Sequence, residues 1–183
     1  MLSKTLTRVL AGAMLAGLPL LGAVPASAAP APHAVTTVYY DNEAGSGWSA
    51  AVTQAVANWN AALTNVKFAA GDSSNSTVDL VADSGWPETE TSQPGSGTVY
   101  LGQEAVTEGY DKTRITAHEL GHILGLPDNY NGDCSLLMSG HSAGTACTNA
   151  IPAASEASQV DSIFAGGGAA VRPRVYREVA AAH

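Results

Sequence analysis

Basic residues are scarce in this chain: between residues 35 and 171 there are 3, Lys67, Lys112 and Arg114, against 15 acidic ones. Such a surface repels phosphate backbones and anionic headgroups, which argues against nucleic-acid or membrane-surface binding and favours solubility and cation uptake. Long apolar runs are also missing. The one apolar stretch, 9–21, is 13 residues long and is broken by Gly12, Gly17 and Pro19, whereas a bilayer span needs about 20. No segment repeats, so the body reads as one domain with enough chain to bury a core.

Lys4 and Arg8 precede the apolar run and Ala26-Ser27-Ala28 follows it, a small-x-small pattern that predicts a secretory signal over 1–28. Residues 29–34 are a short Ala/Pro-rich pro-segment in which His33 reads as an incidental surface residue, with no room for a large inhibitory propeptide. The folded domain is expected over 35–168. The tail, 169–183, carries Arg172, Arg174 and Arg177 and is expected to be disordered or trimmed. A secreted, extracellular protein, monomeric by default, should pair its only cysteines, Cys134 and Cys147. Closing that loop contributes about 3 kcal/mol through the unfolded state.

What the chain does contain is the stretch 116–128, Thr-Ala-His-Glu-Leu-Gly-His-Ile-Leu-Gly-Leu-Pro-Asp. On a helix rising about 1.5 Å per residue, His118 and His122 lie one turn apart on one face and can share a metal ion. Glu119 points differently enough to stay off the metal yet reach a water there, where a general base belongs. Gly125 can take a positive φ, end the helix and turn the chain so that Asp128 arrives as a third ligand. Three protein ligands leave a tetrahedral zinc one open position, the mark of a catalytic site. His-Glu-x-x-His alone also describes a solvated polar helix face; the extension through Gly125 to Asp128 makes the catalytic zinc reading much more specific.

In this motif, and on through Asn129-Tyr130, the two cysteines and Ser135-Leu136-Leu137-Met138-Ser139-Gly140, the chain resembles the snapalysins, small secreted bacterial zinc endopeptidases related to the metzincins. Asp128 stands where most metzincins have a third histidine, and snapalysins are the group with aspartate there. The resemblance implies an α+β, zincin/metzincin-like single domain with a twisted, mainly parallel sheet, an active-site helix, a backing helix and a C-terminal helix. It also implies protein or peptide substrates, with preference for an aromatic residue just after the cleaved bond. Met138 matches the turn that floors the metal site, a packing role that suits a soft side chain. Tyr130 matches a tyrosine able to donate to the oxyanion, although packing against the site explains it equally. Calcium at the start of the metal helix would take oxygens of Asp111 and Thr113, while simple helix capping also accounts for Asp111. His141 reads as a surface or substrate-pocket residue.

Residues 35–40 are rich in β-branched and aromatic types and read as a strand, and Trp48, Val52, Ala55, Val56, Trp59 and Leu63 mark an amphipathic helix ending near 64. Strands are expected at 66–69, 78–81 and 98–101. Residues 84–97 read as polar and turn-forming, and either that segment or 98–101 resembles the edge strand that pairs with substrate in related proteases. A closing helix spans 152–164, with Asn149 or Thr148 near its start. A zinc-binding protein without turnover, an adhesion module with incidental histidines, and a zinc hydrolase acting on other amides or lipids remain alternatives. Glu119 argues against the first.

Overall fold

The computed structural model describes residues 34–167 and 173–178; the secretory-signal and His33 readings lie outside them. Alternation sets β1 (Thr36–Asn42), whose Val38 is buried while Thr37 and Tyr39 are exposed. In α1 (Ser49–Ala62) the positions 52, 55 and 59 turn Val52, Ala55 and Trp59 inward. The chain then forms β2 (Val66–Ala70), β3 (Val78–Asp83), β4 (Glu88–Gln93) and β5 (Ser96–Gly102), followed by the short α2 (Gln103–Thr107).

The sheet order is β2-β1-β3-β5-β4-β6, with β6 being Arg174–Arg177. Strands β2, β1, β3 and β5 run parallel, with Val38 opposite Phe68 and Leu80 opposite Val99. β4 and β6 are antiparallel additions at one edge, so the sheet is mixed and only its larger part matches the parallel expectation. Two further expectations are corrected here. Residues 88–93, read as turn-forming, are a strand. Its inward side chains are Thr89 and Thr91 rather than aliphatics, which leaves no hydrophobic alternation to see. Arg174–Arg177, within the tail from which no order is expected, form β6.

One sheet face, through Val66, Phe68, Val78, Leu80, Val99 and Leu101, packs against α1 and α3 (Lys112–Ile123). The two helices are stapled by the indole of Trp59, which donates to Ala117 O at 2.8 Å in a fully buried setting. An indole is tolerated there because its N–H is satisfied. Asp111 caps α3 by accepting from the Arg114 amide at 2.8 Å.

After α3 the chain makes a 3-10 segment (Leu137–Ala143) and then α4 (Ala154–Ser162). A Cys134–Cys147 disulfide with Cα atoms 5.6 Å apart closes the loop around that segment. Neither Asn149 nor Thr148 caps α4. Asn149 instead accepts from the Ile151 amide and donates to Cys134 O, while the helix starts after Ala153, whose amide is taken by Glu156 at 2.7 Å. Pro152, which lacks an N–H, separates that turn from the helix.

Candidate active site

The end of α3 is a Schellman turn that does two tasks at once. Gly125, at φ 96°, donates to His122 O at 2.9 Å and Leu126 donates to Gly121 O at 3.0 Å, the paired bonds that close a helix through a left-handed residue. The reversed Leu126 carbonyl then accepts the His122 Nδ1–H at 2.8 Å. Leu137 O, from the 3-10 segment, does the same for His118 Nδ1 at 3.1 Å. A carbonyl can only accept, so each imidazole carries a proton on Nδ1 and, in its neutral form, presents a lone pair at Nε2. Those two Nε2 atoms face each other at 3.1 Å.

Beyond the turn, Asp128 Oδ1 lies 3.3 Å from His118 Nε2 and 3.2 Å from His122 Nε2. Ligands bonded tetrahedrally to zinc at about 2.0–2.1 Å stand about 3.3 Å from one another, so the triangle has the edge length of a zinc site. Two facing lone pairs and a carboxylate oxygen buried without a hydrogen-bond donor are stabilised together by a cation and by little else. Glu119 Oε1 is likewise buried without a partner, and Glu178 Oε1, 2.8 Å from His118 Nε2, has one only when that nitrogen is protonated. The donor set of two imidazoles and a carboxylate suits zinc. The electrostatics agree: burial opposes a charge on His118, but Asp128 and Glu178 outweigh it and hold its pKa well above the ordinary value. Burial also opposes ionisation of Asp128, yet the two histidines push its pKa well below the carboxylate range.

Glu119 is 1% exposed. Its Oε2 accepts the Thr89 hydroxyl at 2.6 Å, which ties the carboxylate to β4 and leaves Oε1 buried without a partner. Burial raises its pKa, with His118, His122 and Thr89 pulling the other way. Beside it lies a small cleft lined by Trp86, Tyr110, Ile115 and His141 together with His118 and Glu119.

The 3-10 segment carries Met138 directly beneath α3. A Cβ on Gly121 would stand 2.5 Å from Met138 Sδ, so Met138 seats there only because residue 121 has no side chain. Tyr130 is 46% exposed and packs at 4.7 Å on the His141 ring. His141 and Asp111 both line the pocket, and Thr113 lies in the first turn of α3, two residues after Asp111.

Sequence reasoning passed over five residues that the fold brings to this centre or its supports. Thr89 lay in the unread strand. Arg114, one of the three basic residues of the domain, is 4% exposed and reaches Asn149 O, Leu136 O and Ser139 Oγ at 2.6, 3.1 and 2.9 Å. Glu156 is 8% exposed and accepts from the amides of Leu137 and Met138 at 3.1 and 2.8 Å. The signal for both was a charge placed on an otherwise apolar helical stripe. Tyr176, in β6, and Glu178, just after it, gave no signal: Tyr176 stacks on His122 at 3.9 Å and Glu178 Oε1 lies 2.8 Å from His118 Nε2.

The chain matches several curated relatives. An extracellular small neutral protease of Streptomyces caespitosus is 39% identical over 131 residues, 72% of this chain and 98% of that protein. The proteins of the same name from Streptomyces coelicolor and Streptomyces sp. strain C5 are 38% and 36% identical, the chain spanning 60% and 67% of their lengths. These matches bear out the snapalysin resemblance. Together with a family model that matches residues 34–167, they show that the chain belongs to the Streptomyces extracellular neutral proteinase (M7) family.

Proposed function

We propose that this chain is a secreted zinc endopeptidase of metzincin-like architecture, with His118, His122 and Asp128 holding the metal and Glu119 serving as general base. The observation that carries the reading is the convergence of His118 Nε2, His122 Nε2 and Asp128 Oδ1 to within 3.1–3.3 Å of one another, beside a buried carboxylate. Bound zinc supplies Lewis acidity toward a water and a peptide carbonyl.

The chain's own residues do the rest. With Oε2 held by Thr89, Glu119 Oε1 is the atom that takes the proton from the attacking water and later delivers it to the leaving amine. Its raised pKa makes the carboxylate a better base than an exposed one. The Tyr130 phenol is the donor to the developing oxyanion. Burial, then Glu178 and Asp128, push its pKa far upward, so it keeps its proton through the neutral range. The preference for an aromatic side chain following the cleaved bond belongs to the same reading, with the apolar faces of Trp86, Tyr110 and Ile115 beside the triangle as the surface it would meet. Calcium on the oxygens of Asp111 and Thr113 belongs to the same reading, and removing it with zinc held saturating should lower thermal stability.

The test is hydrolysis of unfolded casein by the parent and by Glu119→Gln, with zinc content measured for both. Zinc near one per chain in each, with activity in the parent alone, supports the assignment; a chain free of zinc removes it.

A further inference from the structure

The segment 173–178 lies beyond the residues matched by the family model, yet it occupies the centre just described. β6 adds antiparallel to β4, with Thr89 opposite Tyr176 and Glu88 opposite Arg177, and the ladder continues as Glu178 N–H donates to Pro87 O at 3.0 Å. β4 is the strand that carries the Glu119 partner, Thr89. Its outer edge is where an extended peptide would add by backbone pairing. Here that edge is already taken.

Side chains reinforce the seat. The Tyr176 ring lies flat on His122, 3.9 Å between centroids with 6° between planes, and is 9% exposed. Glu178 is 7% exposed; Oε1 is 2.8 Å from His118 Nε2, while Oε2 pairs with His141 in the pocket wall. His118, Glu119 and Glu178 form a second group of ligand atoms close enough to hold one metal ion. Gly140, at φ 54°, leaves the space: a Cβ there would be 2.3 Å from Glu178 Oε1. Outside the cleft, Arg177 Nε reaches Glu88 Oε2 at 2.6 Å, a basic tail on an acidic domain.

Resting on the protease reading, we propose that residues 173–178 are an intramolecular inhibitor that binds the cleft as a pseudo-substrate strand. The segment presents a side-chain carboxylate to the metal position where a substrate presents a peptide carbonyl. A carboxylate offers no scissile bond and no amine to expel, so the segment blocks the site without being turned over. Joined through residues 168–172, it competes at an effective concentration on the order of mM, against which a dilute substrate is at a disadvantage.

The experiment compares the zinc-loaded full-length protein with its Tyr176→Ala/Glu178→Ala variant by two independent readouts. One is amide hydrogen exchange over 88–91, with α3 as the internal control for intact folding. The other is kcat/KM on a short fluorogenic peptide with an aromatic residue after the cleaved bond. Release of the tail should speed exchange in β4 while leaving α3 protected, and raise kcat/KM tenfold or more. A synthetic Pro-Arg-Val-Tyr-Arg-Glu peptide should then bind the variant, read by fluorescence anisotropy, and inhibit it competitively, with the Gln-ended peptide weaker. Unchanged β4 exchange together with unchanged kcat/KM overturns the proposal, as does failure of the peptide to bind the variant. If neither protein hydrolyses peptides but β4 exchange rises and the peptide binds, the tail's seat in the cleft stands and the protease reading is what fails.

Discussion

Arg114 and Glu156 hold the same turn from opposite sides: the guanidinium takes the carbonyl of Leu136 and the hydroxyl of Ser139, and the carboxylate takes the amides of Leu137 and Met138. Leu137 is also the residue whose carbonyl orients His118. The turn below the site is therefore fixed by two buried charges, and its position sets an imidazole tautomer two shells of contact away.

Glu156→Ala should expose this directly. It strands two buried turn amides and the α4 start amide, each left unsatisfied at about 1–3 kcal/mol. Urea unfolding should show a loss of several kcal/mol, and zinc affinity should fall even though Glu156 is no ligand. A variant as stable as the parent would mean the turn is held by packing and the disulfide alone.

How much of this was legible follows from the kind of signal each element leaves. α3 announced itself because two histidines, a glutamate, a glycine and an aspartate must fall at fixed spacings to share one site, and the Schellman turn at Gly125 bears out the turn read from that glycine. The hydrophobic periodicity of α1 likewise placed Val52, Ala55 and Trp59 inside. β4 was unreadable because Thr89 and Thr91 are buried by satisfying their hydroxyls, Thr89 on the distant Glu119 and Thr91 on the carbonyls of Gln93 and Ser96 in the following turn, and polar side chains buried this way leave no hydrophobic alternation. β6 is four residues long, and its order comes from a strand edge and a ring stack that no local pattern encodes.

Thr89→Val keeps the β-branched shape of the residue and deletes the hydroxyl that fixes Glu119 Oε2. A hydrogen bond to a charged group is worth about 1.5–3 kcal/mol, so kcat/KM should fall by roughly 10- to 100-fold with zinc content unchanged. Since Thr89 lowers the Glu119 pKa, its loss should also move the acidic limb of the pH–rate profile to higher pH. A purely structural role would lower activity without moving that limb.

Asp161 supplies an acid-sensitive link between α4 and the turn leading into β2, accepting from Thr64 N, Thr64 Oγ1 and Asn65 N at 2.9, 2.7 and 2.7 Å. Burial works against its charge, but the bonds from Asn65 and Thr64 and the nearby Lys67 prevail and lower its pKa. A depressed folded pKa gives stability that is complete above the unfolded value, about 3.9, and is lost as pH falls through the folded one. Asp161→Asn should therefore be less stable than the parent at neutral pH and should lose less on acidification below about pH 4. Parallel stability curves across that range would rule out the contribution.

Metal removal tests the centre by a route that does not depend on turnover. Without a cation, Glu119 Oε1 has no hydrogen-bond partner, and Asp128 Oδ1 and Glu178 Oε1 gain one only when a histidine Nε2 is protonated, which also relieves the crowding of negative charge. An ion that binds only the folded chain adds about 2.7 kcal/mol when present at 100 times its Kd. For a domain of this size each kcal/mol moves Tm by about 2–4 °C. Chelation should thus lower Tm by about 5–10 °C, zinc should restore it, and Asp128→Asn should reduce the shift because one charged corner of the triangle is gone. A Tm indifferent to chelator, in a protein shown to have lost its metal, would mean that the triangle of His118, His122 and Asp128 is held in place by the Leu137 and Leu126 carbonyls alone.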